Sequence, residues 1–216
     1  MQPTSDLRFV HKFVPAQSGS SHAATLLLLH GTGGDGDELL PVGNNLWPGA
    51  ALLGVRGSVL ENSAPLSFRR FAEEGIEDLK FRTDELAHFI SAASKRYGFS
   101  PRRLIVVGYC AGANIASSLI LLHPHHLAAA VLFRAEVPFV PSLIRDFSHI
   151  SVFIGAARLD PTIPWGQAEE LASVFESGGA DVTISWHQGG RDLGEDDVQA
   201  AKKWLSREGL RKKIAA

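Results

Sequence analysis

The chemistry-bearing residues centre on Gly108-Tyr109-Cys110-Ala111-Gly112. An apolar, β-branched run from Leu104 to Val107 precedes them, and a small-residue stretch through Ile115, Ala116 and Leu119 follows. That pattern predicts a buried strand, a tight turn and a helix. The spacing is G-x-S-x-G with cysteine in the serine position. Glycine on both sides lets strand and helix approach where a Cβ would clash. Such a turn presents the Cys110 sulfur at the carboxyl edge of a sheet, over a helix N-terminus that favours a thiolate nucleophile. The competing reading is a buried cysteine acting as a small hydrophobe at a strand end.

A second stretch with chemical potential is Gly31-Thr32-Gly33-Gly34-Asp35-Gly36-Asp37, directly after the apolar run Ala24–His30. It lacks the Gly-Lys-Ser/Thr ending of a phosphate loop and the spacing of a dinucleotide fingerprint. It fits a loop whose backbone N–H groups approach a reacting oxyanion. Asp160-Pro161 follows the run Ile150–Gly155, and Gly189-Gly190-Arg191-Asp192 follows Val182–His187. The histidines lack the paired spacing of a metal site, so neither metal nor cofactor is expected.

The elements that must hold these residues alternate. Strands are expected over Leu7–Val14 at an edge, Ala24–His30, Ala50–Val55, the run before Gly108, Leu127–Phe133, Ile150–Gly155 and Val182–His187. Helices are expected over Asp78–Tyr97, from Gly112 to Leu122, Trp165–Ser177 and Glu195–Glu208, with short ones from Asp37 and after Pro141. Such alternation indicates an α/β fold: a mostly parallel central sheet with helices on both faces. No linker or repeat interrupts it, so one domain over residues 1–216 is expected. Lys212-Lys213 reads as a solvated tail.

Composition narrows the function classes. A net charge of −2 gives no electrostatic footprint for nucleic acid. The apolar runs are strand-length, too short to span a membrane. Cys110 is the only cysteine, so no intrachain disulfide can form. Met1–Asp6 lacks the charged and apolar regions of a signal peptide, and a cytoplasmic location is the expectation.

The sequence resembles the small carboxylesterase/phospholipase group of α/β-hydrolases, which carry no substantial cap domain. The matching pieces run in order over nearly the whole chain: Leu28–Asp35, Phe68–Glu73, Gly108–Asn114, Asp160-Pro161 with Pro164, and Gly189-Gly190 ahead of Leu193, Glu195-Asp196 and Trp204-Leu205. The resemblance implies an acyl-ester hydrolase with an α/β-hydrolase fold. It puts the nucleophile at Cys110, the acid at Asp160 and the oxyanion donors at Thr32 and Ala111. It implies a small ester-like substrate or ligand and leaves a homodimer open. A cysteine at this turn also resembles the dienelactone hydrolases, whose triad is Cys-His-Asp.

The pattern departs at the base: where these families have a catalytic histidine, this chain has Arg191. Arginine is always protonated and cannot serve as a general base. His187 is an auxiliary candidate for that role. Glu136, where the family has an apolar residue, could pair with Arg191, and so could Asp160 or Asp192. Beside Cys110, Arg191 would lower the thiol pKa and sustain a thiolate. His30 reads as structural, His123, His125 and His126 as a polar helix cap, and Arg69 and Arg70 as mainly structural.

Three functions follow. The first is a cysteine hydrolase of esters or thioesters with impaired turnover. The second is a non-catalytic binding protein on a hydrolase scaffold. The third is a Cys/Arg/Glu site of changed chemistry, by divergence or by deliberate substitution in a serine esterase.

Overall fold

Among the described residues of this computed structural model, seven strands and six α-helices follow one another along the chain. Residues 7, 9–17, 23–31, 34, 37–56 and 73–215 are described. In order they form β1 (Val10–Val14), β2 (Thr25–Leu29), α1 (Leu40–Leu46), β3 (Ala51–Arg56), α2 (Glu73–Tyr97), β4 (Leu104–Tyr109), α3 (Ala111–Leu122), β5 (Ala129–Phe133), β6 (Ser151–Ala157), α4 (Gly166–Ser177), β7 (Asp181–His187), α5 (Glu195–Leu205) and α6 (Glu208–Ala215). The strands form one sheet in the order β1-β3-β2-β4-β5-β6-β7. Among the described strands only β1 runs antiparallel, pairing with β3 at the edge. The other strands are parallel to their neighbours, so their carboxyl ends lie along one rim. This is the mostly parallel central sheet with helices on both faces that the alternation indicates.

The period-two alternation of strand side chains divides the core in two. Leu27, Val106, Leu132 and Ile154 face α2, α3 and α4, where Phe89, Ile120 and Phe175 are buried. Leu26, Ile105, Val131 and Phe153 face the other side, against Leu46 of α1, Trp204 of α5 and Ile214 of α6. The central strands are overwhelmingly apolar and buried along almost their whole length because both faces are covered. Each large side chain taken fully out of water contributes about 1.5–3 kcal/mol.

The structure differs from the sequence expectation in two elements. No helix forms after Pro141; residues 138–149 are irregular. The tail is helical instead: α6 folds back and buries Leu210 and Ile214, Lys213 Nζ donates to Ser151 Oγ at 3.1 Å, and Lys212 pairs with Glu208 on the exposed side. Its apolar residues sit four apart, a pattern the adjacent lysine pair obscures.

Candidate active site

The centre of the rim is the turn between β4 and α3. Cys110 adopts φ 51° and ψ −115°, a left-handed conformation that is strained for a residue with a Cβ. Its amide donates to the Phe133 carbonyl at 2.9 Å, tying the turn to the end of β5. Close approach explains both glycines. A Cβ on Gly112 would lie 2.0 Å from the Leu29 carbonyl oxygen, and one on Gly108 would lie 2.6 Å from Ala113 Cα. Ala111 opens α3, where the first N–H groups have no intrahelical acceptor.

The loop after β2 reaches the same place. A Cβ on Gly31 would lie 3.5 Å from Cys110 Cβ and 3.3 Å from the Tyr109 ring. His30 is occupied locally, with Nδ1 2.6 Å from the Gly31 carbonyl oxygen. Thr32 lies outside the described residues, as do Arg69 and Arg70.

Asp160 follows β6 and is held by an Asx turn. Its Oδ1 accepts from the amides of Thr162 at 2.8 Å and Ile163 at 3.0 Å. Its Oδ2 is buried and has no partner among the described residues. Arg191, from the loop after β7, places Nη1 3.8 Å from Asp160 Oδ1. That distance is electrostatic attraction rather than a hydrogen bond. Nη1 is itself buried without a hydrogen-bond partner. Beside the pair, a small cleft is bordered by Arg134, Ala135, Ile163, Trp165 and Ala168.

The charges act on Cys110 in opposite directions. The side chain is buried, and burial pushes the thiol up from its ordinary value. Arg191, the neighbouring Tyr109 hydroxyl and Arg134 pull it down, while Asp160 adds to the rise; the net direction is upward. That upward direction runs against the expectation of a sustained thiolate. Desolvation outweighs the two guanidiniums and the Tyr109 hydroxyl together. Tyr109 is pushed up to about 12, chiefly by burial and then by the sulfur beside it. Its hydroxyl donates to the Arg191 carbonyl at 3.2 Å.

The two auxiliary candidates lie elsewhere in the hydrogen-bond pattern. His187 Nδ1 accepts from the Gly189 amide at 2.9 Å, and Nε2 abuts Arg134 Nη2 and lies 3.5 Å from Asp197 Oδ2. Both ring nitrogens thus serve the frame of the loop, not the sulfur. Glu136 is joined to Asn114, with its amide donating to Asn114 Oδ1 at 2.9 Å, and it forms no ion pair with Arg191 among the described residues. Of the histidines expected to cap α3, His123 stands at the cap position through its backbone amide, while the side chains of His123 and His126 bond to α2. His123 meets Asp84 at 2.6 Å, and His126 meets Ser91 at 3.1 Å, pinning α3 to α2.

Two residues were not singled out from the sequence. Arg134, directly after β5, is 2% exposed and has φ 57°. Asp197, in the first turn of α5, is 5% exposed. They pair in a fork, with Arg134 Nη1 donating to Asp197 Oδ1 at 3.0 Å and Nη2 to Oδ2 at 2.8 Å. The available signal was an arginine inside the otherwise apolar run Leu127–Ala135. Asp197 was hidden as the last of three acids at a helix start, where acids ordinarily stabilise the dipole.

The parallel sheet, the strained turn after β4 and the acid after β6 define an α/β-hydrolase. The model of the dienelactone hydrolase family matches residues 68–191, the span containing Cys110, Asp160 and Arg191, and the chain belongs to that family. A Bacillus subtilis (strain 168) protein named "Putative hydrolase MhqD" is 41% identical over 181 residues, 83% of this chain and 90% of that protein. Among solved structures, a Bacillus cereus carboxylesterase matches with a TM-score of 0.86 at 38% identity, covering 97% of this chain and 96% of that one. A Mesorhizobium loti carboxylesterase matches with a TM-score of 0.80 at 29% identity, covering 94% and 96% respectively. No helix among the described residues is long and apolar enough to cross a membrane.

Proposed function

We propose that this chain is a carboxylesterase-type hydrolase in which Cys110 accepts the acyl group and Arg191 leaves the second half of the reaction without a base. The observation that carries this reading is the Cys110 turn, strained, backed by Gly31 and lying within the electrostatic influence of Arg191 and Asp160. The two carboxylesterase relatives, alike over nearly their full length, support the substrate class.

In the first half-reaction the sulfur forms a bond to the ester carbonyl carbon. The thiol proton passes to solvent; as the carbonyl re-forms, the acyl C–O bond breaks and the alkoxide leaves, taking a proton from solvent to become the alcohol. The Ala111 N–H at the helix start, with Thr32 in the glycine loop, would receive the oxyanion. Arg191 acts on the attacking sulfur by stabilising its anionic form. In the second half, water must lose a proton as it attacks the thioester. Arg191 cannot accept it, and His187 is committed to Gly189, Arg134 and Asp197. Deacylation is then the slow step, and an activated ester gives a burst of one alcohol per chain followed by slow turnover. Rapid-mixing measurement of p-nitrophenyl acetate tests this: a burst supports it, and linear release from zero time opposes it.

A second reading is favoured by one observation: Arg191 Nη1 is an unsatisfied buried donor. A small carboxylate would satisfy it, with the site binding rather than turning over. The solved structure entitled "Structure of YahD with Malic acid", 25% identical with a TM-score of 0.83, fits this class of ligand. Thermal stabilisation by malate, with no burst from the ester, would select this reading.

A further inference from the structure

We infer that Arg134 is a positioning residue of the site: through its buried fork with Asp197, it sets where Arg191 stands against Cys110 and Asp160. The inference rests on the reading that Cys110 is the reacting group.

A guanidinium carries five N–H donors in a fixed plane. Arg134 uses all of them. Nε donates to the Arg191 carbonyl at 3.1 Å. Nη1 donates to the Gly155 carbonyl at 3.1 Å and to Asp197 Oδ1 at 3.0 Å. Nη2 donates to the Asp192 carbonyl at 2.9 Å and to Asp197 Oδ2 at 2.8 Å, and it also abuts His187 Nε2. Asp197 Oδ2 in turn accepts from the Gly194 amide at 3.0 Å. The loop is therefore pinned to the cation at the successive carbonyls of Arg191 and Asp192, and to the cation's Asp197 partner at the Gly194 amide. That cation is fixed to the end of β6 by Gly155 and to α5 by Asp197.

The arrangement is specific to arginine. The left-handed φ of 57° turns the chain sharply at the end of β5, and the planar fork matches a carboxylate and flanking carbonyls together. Lysine would keep the charge but offers three donors from a single nitrogen, and could not hold both Asp197 and the loop. A buried ion pair is a weak source of net stability, since desolvation offsets most of its attraction. Its return here is geometric. With the carbonyls of Arg191 and Asp192 fixed, the Arg191 side chain has a defined root from which to face Asp160.

Alkylation of Cys110 by iodoacetamide tests this without requiring turnover, because the chain has no other thiol. The set is the unsubstituted protein, Arg191→Gln, Arg134→Lys and the double variant, each followed over a pH series. Losing the influence of Arg191 slows alkylation near neutral pH about three- to tenfold. Arg134→Lys is expected to reproduce that loss with its cation retained, and the double variant to be no slower than either single. An Arg134→Lys protein that is less heat-stable yet alkylates with the original pH profile, or a double variant whose losses multiply, overturns the inference.

If Arg134→Lys does not fold, Asp197→Asn replaces it. Loosening the fork slows alkylation, whereas removing a negative charge alone would speed it, so an unchanged or faster rate overturns the inference. Acetylation of Cys110 by p-nitrophenyl acetate, scored separately on the unsubstituted protein, reports on the hydrolase reading.

Discussion

Arg191 Nη1 lies 3.8 Å from Asp160 Oδ1, and the two side chains differ sharply in burial: 38% exposed for Arg191 and 2% for Asp160. The acid of the site thus faces a permanent cation at the position where the resembling families carry a proton-accepting histidine. The Asp160 carboxylate is oriented by the amides of Thr162 and Ile163, independently of Arg191. Replacing the cation should therefore leave the acid in place.

Arg191→His is expected to raise multiple turnover of p-nitrophenyl acetate by about 10²–10⁴, the usual contribution of a positioned general base. The gain should appear both with Cys110 and with Cys110→Ser. Steady-state rates check this. No gain in either background means the site has been remodelled beyond its missing base.

Alkylation of Cys110 should still be accelerating at pH 9.0, the ordinary thiol value, because burial holds the thiol above it. The signs of its neighbours are opposite. Arg191→Gln removes a cation that favours the thiolate and should move the profile to higher pH. Asp160→Asn removes an anion that opposes the thiolate and should move it to lower pH. Iodoacetamide kinetics over a pH series check both directions.

The strain at Cys110 should reverse the usual ranking of alanine and glycine. In ordinary positions glycine costs about 0.5–1 kcal/mol relative to alanine. At φ 51° and ψ −115°, an L side chain carries about 1–3 kcal/mol of strain. Cys110→Gly is expected to be more stable than Cys110→Ala by about 1 kcal/mol, measured by urea denaturation.

Gly112→Ala should be among the most damaging single changes. Its Cβ would lie 2.0 Å from backbone oxygen of β2, which cannot rotate away as a side chain could. A loss of about 3 kcal/mol or more is expected by denaturation. Gly166→Ala, with nothing within 4 Å, is the control and should be near neutral.

Much of this site was legible in the sequence because its parts are local. The turn around Cys110 is written in the glycines at 108 and 112, and the acid in an Asp-Pro step after a strand. The sheet was legible because its central strands are apolar on both faces. The Arg134–Asp197 pair joins residues 63 apart in the chain, and neither has a neighbour that announces the other. His187 looked available because a strand-end histidine gives no sign that its two nitrogens are already engaged. The thiol's protonation could not be read either, since it depends on the balance between burial and several charges at once. Helix α6 was missed for a simpler reason: Lys212-Lys213 masked the spacing of Leu210 and Ile214.

The central claim is that Cys110 takes the acyl group and then releases it slowly. Mass spectrometry of the protein during reaction with p-nitrophenyl acetate tests it most directly. An acetyl group on the peptide containing Cys110, approaching one per chain during the burst and decaying at the steady-state rate, is the predicted result. An unmodified Cys110 during sustained hydrolysis, with the same rate in Cys110→Ala, would contradict it.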